Sequence, residues 1–329
     1  MPKKNTISEL KKSGLVGRSG SGFPTYMKWQ LTIKAPGNER IIICNASEGE
    51  PGAHKDEYIL KHHPEKVIKG MQIALRTIPK SRAIIYLKAK YFPKYAPALK
   101  RLARGKKIEF FEKTGGYLAG EETTLIQAIE GNRIEPSLKP PYPCDCGLDD
   151  KPTLVNNVET FYRVAEIMSG KYENKRYYSI SGDIKKPGVY DLPENWNIGK
   201  ILRETGNVPD VGFFVQAGGG ASGEILLDSE LNQKIKGIGV IIVHKKSRIA
   251  PWKLLKEWSD FYLYENCDKC TPCREGVYRI SEMVEKKKIR KDDAREIINV
   301  LKETSFCPLG EGVGIAYESL FDRWNEVQK

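Results

Sequence analysis

The stretch RIIICNASEGEPG, Arg40 to Gly52, decides the architecture of the N-terminal half of this 329-residue chain. Arg40 to Cys44 is an apolar run of strand length, and it gives way at once to a loop of small residues carrying two glutamates, Glu48 and Glu50. Working outward, Pro64 to Ile78 reads as an amphipathic helix, Ala83 to Leu87 as a second strand, Tyr95 to Ala103 as a helix and Ile108 to Phe111 as a third strand. Strand and helix in alternation is the rhythm of a parallel α/β sheet. Ligands of such sheets bind beyond the carboxyl ends of the strands, so the loops leaving the first and third strands are the places to look for chemistry.

The third strand is followed by Gly115-Gly116-Tyr117-Leu118-Ala119-Gly120-Glu121-Glu122-Thr123, again glycines with paired carboxylates, opening a helix at Glu121. Carboxylates at strand ends bind metal, act as acid or base, or accept hydrogen bonds from ribose hydroxyls. The last role fits best beside glycine loops and a stacking ring such as Tyr117. Ahead of the first strand lies Gly17-Arg18-Ser19-Gly20-Ser21-Gly22-Phe23-Pro24-Thr25, leading into Lys28-Trp29. Its glycines let backbone N–H groups approach a phosphate, Arg18 or Lys28 supplies charge, and Phe23 offers a flat apolar face. The spacing is not that of the dinucleotide fingerprint. Taken singly, each of these loops reads first as an ordinary solvated turn.

The C-terminal region carries a stronger signal. Cys267, Cys270 and Cys273 follow C-x2-C-x2-C spacing and Cys307 lies far downstream, a three-plus-one set that suits a cubane iron-sulfur cluster. Four thiolates also suit structural zinc, but zinc sites generally pair two C-x2-C units, so the asymmetry favours iron. Seven cysteines, an odd number, argue for reduced thiols over a disulfide framework.

Composition sets outer limits. The length calls for two or three domains. The longest apolar stretches, such as Gly237 to Val243, fall far short of the roughly 20 residues that span a bilayer, so no direct membrane insertion is expected. Met1 to Gly14 is basic but lacks the apolar core of a secretory signal. The expected location is the cytoplasm or the cytoplasmic face of a membrane complex. A net charge of +12 raises the question of nucleic acid, but the lysines fall in short separated groups (Lys11-Lys12, Lys106-Lys107, Lys245-Lys246, Lys286 to Lys288). They read as a solvated surface, not a nucleic-acid tract.

Residues 1–170 are expected to form the α/β domain, 171–247 a second unit and 248–329 a third. In the second, Tyr178 to Asp183 followed by Lys186 to Tyr190 alternates like a β-hairpin, and Gln216 to Gly223 is glycine-rich but lacks the Lys-Ser/Thr of a phosphate-binding P-loop. In the third, Trp252, Leu255, Trp258 and Tyr262 recur at helical intervals, as do Val277 to Val284, Ala294 to Leu301 and Ile315 to Trp324. A four-helix bundle fits, with the cysteine triplet between its first two helices and Cys307 after the third. Lys269 and Arg274 flank the sulfurs and supply local positive charge.

Gly17 to Trp29, Cys44 to Asp56, Gly116 to Ala128, Leu138 to Pro143 and Lys151 to Thr160, in that order and together with the cysteines, resemble the flavoprotein NADH-binding subunit of respiratory complex I and the diaphorase subunits of NAD-linked hydrogenases and formate dehydrogenases. The match runs from about residue 14 to near Gly314. It implies an FMN held by Gly17, Arg18, Gly20, Gly22 and Lys28, with Asn45, Glu48, Tyr117, Gly120, Glu121, Asn156 and Asn157 around the flavin. NAD(H) would lie near Phe23, Glu50, Glu122, Lys139 and Tyr142, with Glu50 and Glu122 orienting it. The resemblance also implies a 4Fe-4S cluster on Cys267, Cys270, Cys273 and Cys307, a β-grasp domain over 171–247, a thioredoxin-like 2Fe-2S subunit as partner and further iron-sulfur subunits in a larger complex. Hydride transfer by orientation needs no general base.

This chain departs from the family pattern at several positions. Ser19 and Ser21 stand where the family has Gly and Ala, and either crowd the phosphate or hydrogen-bond it. Ser47 replaces an Asp, His54 a Phe and Tyr142 a Phe. Retention of Glu122 favours NADH over NADPH, since a carboxylate near the adenosine ribose repels a 2′-phosphate. The alternative function is a non-catalytic iron-sulfur scaffold that has lost tight flavin binding. Cys144-Asp145-Cys146 is too tight a spacing to hold a metal alone and reads as two solvent-near thiols. Cys44 reads as a small core residue.

Overall fold

Four short runs rich in β-branched residues build the first sheet of the computed structural model, which describes residues 5–328; residues 1–4, the start of the basic N-terminal segment, and residue 329 lie outside the described residues. Two compact units form: one from the chain up to Gly49 with His54–Lys175, the other from Glu50–Ala53 with the chain from Arg176 onward.

In the first unit the order is α1 (Thr6–Ser13), α2 (Thr25–Lys34), β1 (Arg40–Ala46), α3 (Lys55–His62), α4 (Pro64–Thr77), β2 (Ser81–Leu87), α5 (Phe92–Leu102), β3 (Ile108–Glu112), a 3₁₀ turn at Tyr117–Gly120, α6 (Glu122–Glu130), β4 (Thr153–Asn157) and α7 (Val158–Met168). The sheet runs β3-β2-β1-β4 and is wholly parallel. Parallel strands are covered on both faces, and Ile41, Ile42 and Ile43 are each fully buried. Ile41, Ile43, Ile84, Tyr86 and Val155 pack with Leu125 and Ile126 of α6 in one core. Where α4 crosses α7, Gly70 lies directly on the backbone of Phe161, and a Cβ there would strike the Phe161 carbonyl. The sequence reading found the first three strands and missed β4.

In the second unit β5 (Lys175–Gly182), β6 (Gly188–Pro193), α8 (Ile198–Glu204), β7 (Phe213–Ala217), β8 (Glu224–Leu227) and β9 (Val240–Lys245) are followed by α9 (Pro251–Glu265), α10 (Thr271–Glu285), α11 (Lys291–Thr304), α12 (Pro308–Asp322) and α13 (Trp324–Gln328). The sheet order is β6-β5-β9-β7-β8, with β5 parallel to β9 and β7 antiparallel to both its neighbours. Numbered from its own first strand this is 2-1-5-3-4 around one helix, the β-grasp arrangement. Tyr178, Ile198, Ile201, Val215 and Ile241 fill its core. Helices α9 to α12 pack each on the next, and α12 closes on α9, giving the expected bundle with α13 appended. Ser319 Oγ on α12 accepts from Ile225 N on β8 at 2.9 Å, and Arg323 holds Glu230 through Nε at 2.6 Å and Nη2 at 2.8 Å, so sheet and bundle are joined by hydrogen bonds.

Two expected positions differ. Ile315, assigned to an apolar stripe, is 49% exposed, while Ala316, Tyr317, Leu320 and Phe321 make the buried face. Cys144 is buried and only Cys146 is exposed. The backbone N–H groups of Asp145 and Cys146 both donate to Tyr142 O, a turn that aims Cys144 inward. No helix of the described residues is long and apolar enough to cross a membrane.

Candidate functional site

The first unit's sheet has its switch point between β1 and β4. The chain leaves β1 toward β2 on one side and later returns to β4 on the other, opening the crevice in which α/β proteins bind ligands. In register, Cys44 faces Asn156 and Asn45 faces Asn157 at this carboxyl end. Asn45 Nδ2 donates to Gly120 O at 2.8 Å, and its Oδ1 accepts from Ser47 Oγ at 2.6 Å and Ser47 N at 3.2 Å. Ser47 thus donates to Asn45, a bond that an ionised carboxylate in the same place could not make. The fit leaves no spare room: a Cβ on Gly120 would lie 2.7 Å from Ser47 Oγ. Across the crevice Asn156 Oδ1 accepts from Trp29 Nε1 of α2 at 2.8 Å, while its Nδ2 has no acceptor among the described residues.

Asn157 is committed to the protein. Its Oδ1 accepts from Lys55 Nζ at 2.9 Å and caps α7 at Glu159 N, and its Nδ2 donates to Asp56 Oδ2 at 2.7 Å and Asn45 O at 3.4 Å. Lys55 also pairs with Asp56 at 2.5 Å and Glu159 at 3.6 Å, and all three side chains are under 5% exposed. Burial opposes the Lys55 charge, yet the carboxylates of Asp56, Glu159 and Glu48 hold its pKa above the ordinary lysine value. Sequence reasoning missed this network. Its members fall inside Cys44 to Asp56 and Lys151 to Thr160, segments that carry the resemblance, but nothing in the sequence shows that they meet.

Glu48 lies at the N-terminus of α3, accepting from Asp56 N at 3.2 Å and Glu57 N at 3.5 Å, with the Tyr91 hydroxyl 3.3 Å away. Burial first, then the neighbouring Asp56 carboxylate, pushes its pKa up to about 7, against the attraction of Lys55.

The second carboxylate pair is arranged differently. Glu121 caps α6 by accepting from Thr123 N at 2.7 Å and Thr124 N at 3.0 Å, and takes Lys139 Nζ at 2.8 Å on its other oxygen. Glu122 is gripped by Lys28 at 2.6 Å and Lys139 at 3.0 Å. Burial raises the Glu122 pKa, but the two ammonium groups outweigh it and leave it below the ordinary range. The quartet of two carboxylates and two ammonium groups is neutral overall, so a 2′-phosphate beside Glu122 meets less repulsion than the sequence argument assumed.

Val16 and Pro24 form an isolated bridge, and Gly17 N donates to Phe23 O at 2.9 Å, closing the glycine loop at its base. Gly20 and Gly22 have φ of 106° and 62°, in the left-handed region where a side chain is strained. Arg18 N donates to Thr160 Oγ1 at 3.3 Å, and the backbone N–H groups of Ser19 to Phe23 find no protein acceptor among the described residues. A run of open N–H groups on an exposed loop is what a phosphate needs, and together with Asn156 Nδ2 it fits a phosphate-bearing ring cofactor. Phe23 and Tyr142 are 41% and 51% exposed, as rings that stack on a ligand would be. The Tyr117 side chain packs 3.0 Å from where a Cβ on Gly49 would sit.

Glu50 belongs to the second unit. Its Oε1 accepts from Ala221 N at 3.0 Å, Ser222 N at 3.2 Å and Ser222 Oγ at 3.1 Å. The Gly218 to Gly223 loop is thus a nest for an anion supplied by the chain itself, in keeping with its lack of a P-loop lysine. Trp258 Nε1 and the Tyr262 hydroxyl of α9 donate to Gly220 O and Ala221 O, bracing the same loop.

Three of the four cysteines lie at the starts of bundle helices, and Cys267 precedes α10. Cys270 is the N-cap of α10, Cys273 lies in its first turn, and Cys307 is the N-cap of α12. Cys270, Cys273 and Cys307 are buried and Cys267 is partly exposed. Burial pushes the Cys273 thiol up to about 12, with Cys270, Cys307 and Cys267 each adding to it. Among the described residues no three His, Cys, Asp or Glu side chains group as ligands of one metal ion. Buried soft donors entering at helix starts fit a cluster that holds them as thiolates.

A family model described as the Nuo51 FMN-binding domain matches residues 10–166, and one described as the NADH-ubiquinone oxidoreductase-F iron-sulfur binding region matches residues 253–328. The F subunit of the NADH-quinone oxidoreductase of Aquifex aeolicus is 34% identical over 99% of this chain and 85% of its own. The HndC subunit of the NADP-reducing hydrogenase of Solidesulfovibrio fructosivorans is 29% identical over 93% of this chain and 71% of its own. A crystal structure of an NAD+-reducing [NiFe]-hydrogenase in the H2-reduced state superposes with a TM-score of 0.91 at 30% identity over 98% of this chain, which spans only 62% of that hydrogenase chain. The chain belongs to the F-subunit family of NADH-quinone oxidoreductases, which are FMN- and 4Fe-4S-dependent oxidoreductases.

Proposed function

We propose that this chain is the electron-input subunit of a larger redox complex, an NADH dehydrogenase that delivers single electrons to iron-sulfur partners. The observation that carries the reading is the placement of Cys270 and Cys273 at the start of α10 and of Cys307 at the start of α12, inside the stretch matched by the iron-sulfur family model, in a chain whose other unit presents an open N–H loop at a sheet switch point. FMN, held by the glycine loop, would supply the conversion of a hydride's two electrons into single electrons, and a cluster on Cys267, Cys270, Cys273 and Cys307 would supply a one-electron relay. The protein's part is binding and orientation.

Gly17, Arg18, Gly20, Gly22 and Lys28 are the proposed phosphate and ring contacts, and Asn45, Tyr117, Gly120 and Asn156 border the flavin. Glu48, Glu121 and Asn157 act mainly by holding their neighbours, since each is tied to a helix start. For the nicotinamide nucleotide, Phe23 and Tyr142 supply stacking faces, and Glu122 and Lys139 form a preset ion pair for ribose hydroxyls. Glu50 is proposed to orient it too, already fixed through Oε1. A thioredoxin-like 2Fe-2S subunit is the proposed neighbour and the cytoplasm, including the face of a membrane complex, the proposed location. Residues 1–170, 171–247 and 248–329 are proposed as the functional divisions.

Anaerobic protein mixed with NADH should lose its flavin absorbance and reduce ferricyanide, with FMN and not FAD released on denaturation. One equivalent of FAD, or flavin that NADH leaves oxidised, would overturn the proposal.

A further inference from the structure

Ser305 sits between α11 and the last cluster ligand. It ends α11, its N–H donating to Leu301 O at 3.1 Å, and Cys307 opens α12 two residues later. Its hydroxyl is sealed from solvent and has no hydrogen-bond partner among the described residues. A buried hydroxyl left in that state is costly unless an acceptor arrives.

The neighbouring Gly310, in the first turn of α12, shows which way the hydroxyl faces. A Cβ on Gly310 would run into both Ser305 Cβ and Oγ, and would lie 3.7 Å from Cys273 Sγ. Hydroxyl and ligand sulfur therefore border the same small space. Oγ is closed off from solvent, and a ligand sulfur, Cys273 Sγ, borders the space it faces.

We propose that Ser305 donates an O–H hydrogen bond to a sulfur of the cluster held by Cys267, Cys270, Cys273 and Cys307, and so raises its reduction potential. Reduction adds negative charge that spreads onto the sulfurs, and a donor aimed at one of them stabilises the reduced form. Ser305 is a positioning residue, since it binds no iron. The inference rests on the four-thiol cluster assignment.

The test is a redox titration of the whole purified protein, read by electron paramagnetic resonance of the cluster, for the unaltered chain and for Ser305→Ala, Ser305→Thr and Ser305→Cys. Ser305→Ala should shift the midpoint to lower potential at unchanged signal shape and iron content, and Ser305→Thr, which keeps the hydroxyl, should restore it. Equal potentials for the unaltered chain and Ser305→Ala, or a Ser305→Thr shift as large as that of Ser305→Ala, overturn the proposal. Where Ser305→Ala assembles no cluster, Ser305→Cys, a weaker donor, should titrate below Ser305→Thr, and equality there overturns it as well. Absence of any 4Fe-4S signal in the unaltered chain would instead sink the cluster assignment itself.

Discussion

Replacing Lys55 with Met tests whether the buried network beneath the sheet's carboxyl end holds the flavin site together. Lys55 Nζ is the common partner of Asp56 at 2.5 Å, Asn157 at 2.9 Å and Glu159 at 3.6 Å. Met fills nearly the same volume but strands two buried carboxylates, and removing one member of a buried ion pair costs about 3–5 kcal/mol. In a unit of this size each kcal/mol lowers Tm by about 2–4 °C, so a fall of about 6–20 °C is expected. The assay is release of flavin fluorescence on heating, which follows the first unit alone. Asp56→Asn added to Lys55→Met removes one stranded charge and should recover a good part of the loss. A Lys55→Met protein melting within 2 °C of the unaltered chain, as about 1 kcal/mol or less would give, would refute the claim that these charges depend on one another.

Other outcomes follow from the same geometry. Gly120→Ala forces a methyl to within 2.7 Å of Ser47 Oγ and should destabilise by about 1–3 kcal/mol; Ser47→Ala in the same chain should relieve part of it, and strict additivity in urea unfolding would exclude the contact. Glu48 has a folded pKa raised to about 7 above its unfolded value, so its contribution to stability is fully present below the unfolded carboxylate pKa and is lost as pH rises through about 7. A pH series of Tm should therefore show a steeper fall across pH 4.5–7 in the unaltered chain than in Glu48→Gln, and parallel curves would contradict this. Glu122→Gln should narrow the difference between NADH and NADPH in the rate of flavin bleaching, because it frees Lys28 and Lys139 as well as removing the charge. An unchanged ratio would remove Glu122 from nucleotide selection. Cys307→Ser replaces a soft thiolate by a hard hydroxyl and should lose the cluster while FMN content and ferricyanide reduction by NADH persist in part.

The architecture was legible where local pattern carries it. The apolar run ending at Cys44 marked β1, and helical periodicity from Trp258 to Leu301 marked the bundle. The strand Thr153–Asn157 escaped notice because it is short and ends in two asparagines, residues that on their own suggest a turn. That Lys55, Asp56 and Glu159 form one network is not visible in the sequence, since nothing local shows that their partners come from α3 and α7, about a hundred residues apart. The same limit applies to Glu50, whose acceptor role depends on a loop near residue 221. Cys144 and Cys146 looked alike because the turn that separates inside from outside is set by hydrogen bonds to Tyr142 O, not by composition. Motif resemblance covered the glycine loops, the cysteines and, within Cys44 to Asp56 and Lys151 to Thr160, the network residues themselves, but not the contacts among them.

Electron paramagnetic resonance of the anaerobic protein after addition of NADH alone tests the central claim most directly, because it asks whether electrons entering at the nucleotide site arrive at the four thiols. The expected result is loss of the flavin bands together with a reduced 4Fe-4S signal that disappears in Cys307→Ser. Flavin that bleaches while the cluster stays oxidised, or a four-thiol site that contains zinc and gives no signal, would contradict it.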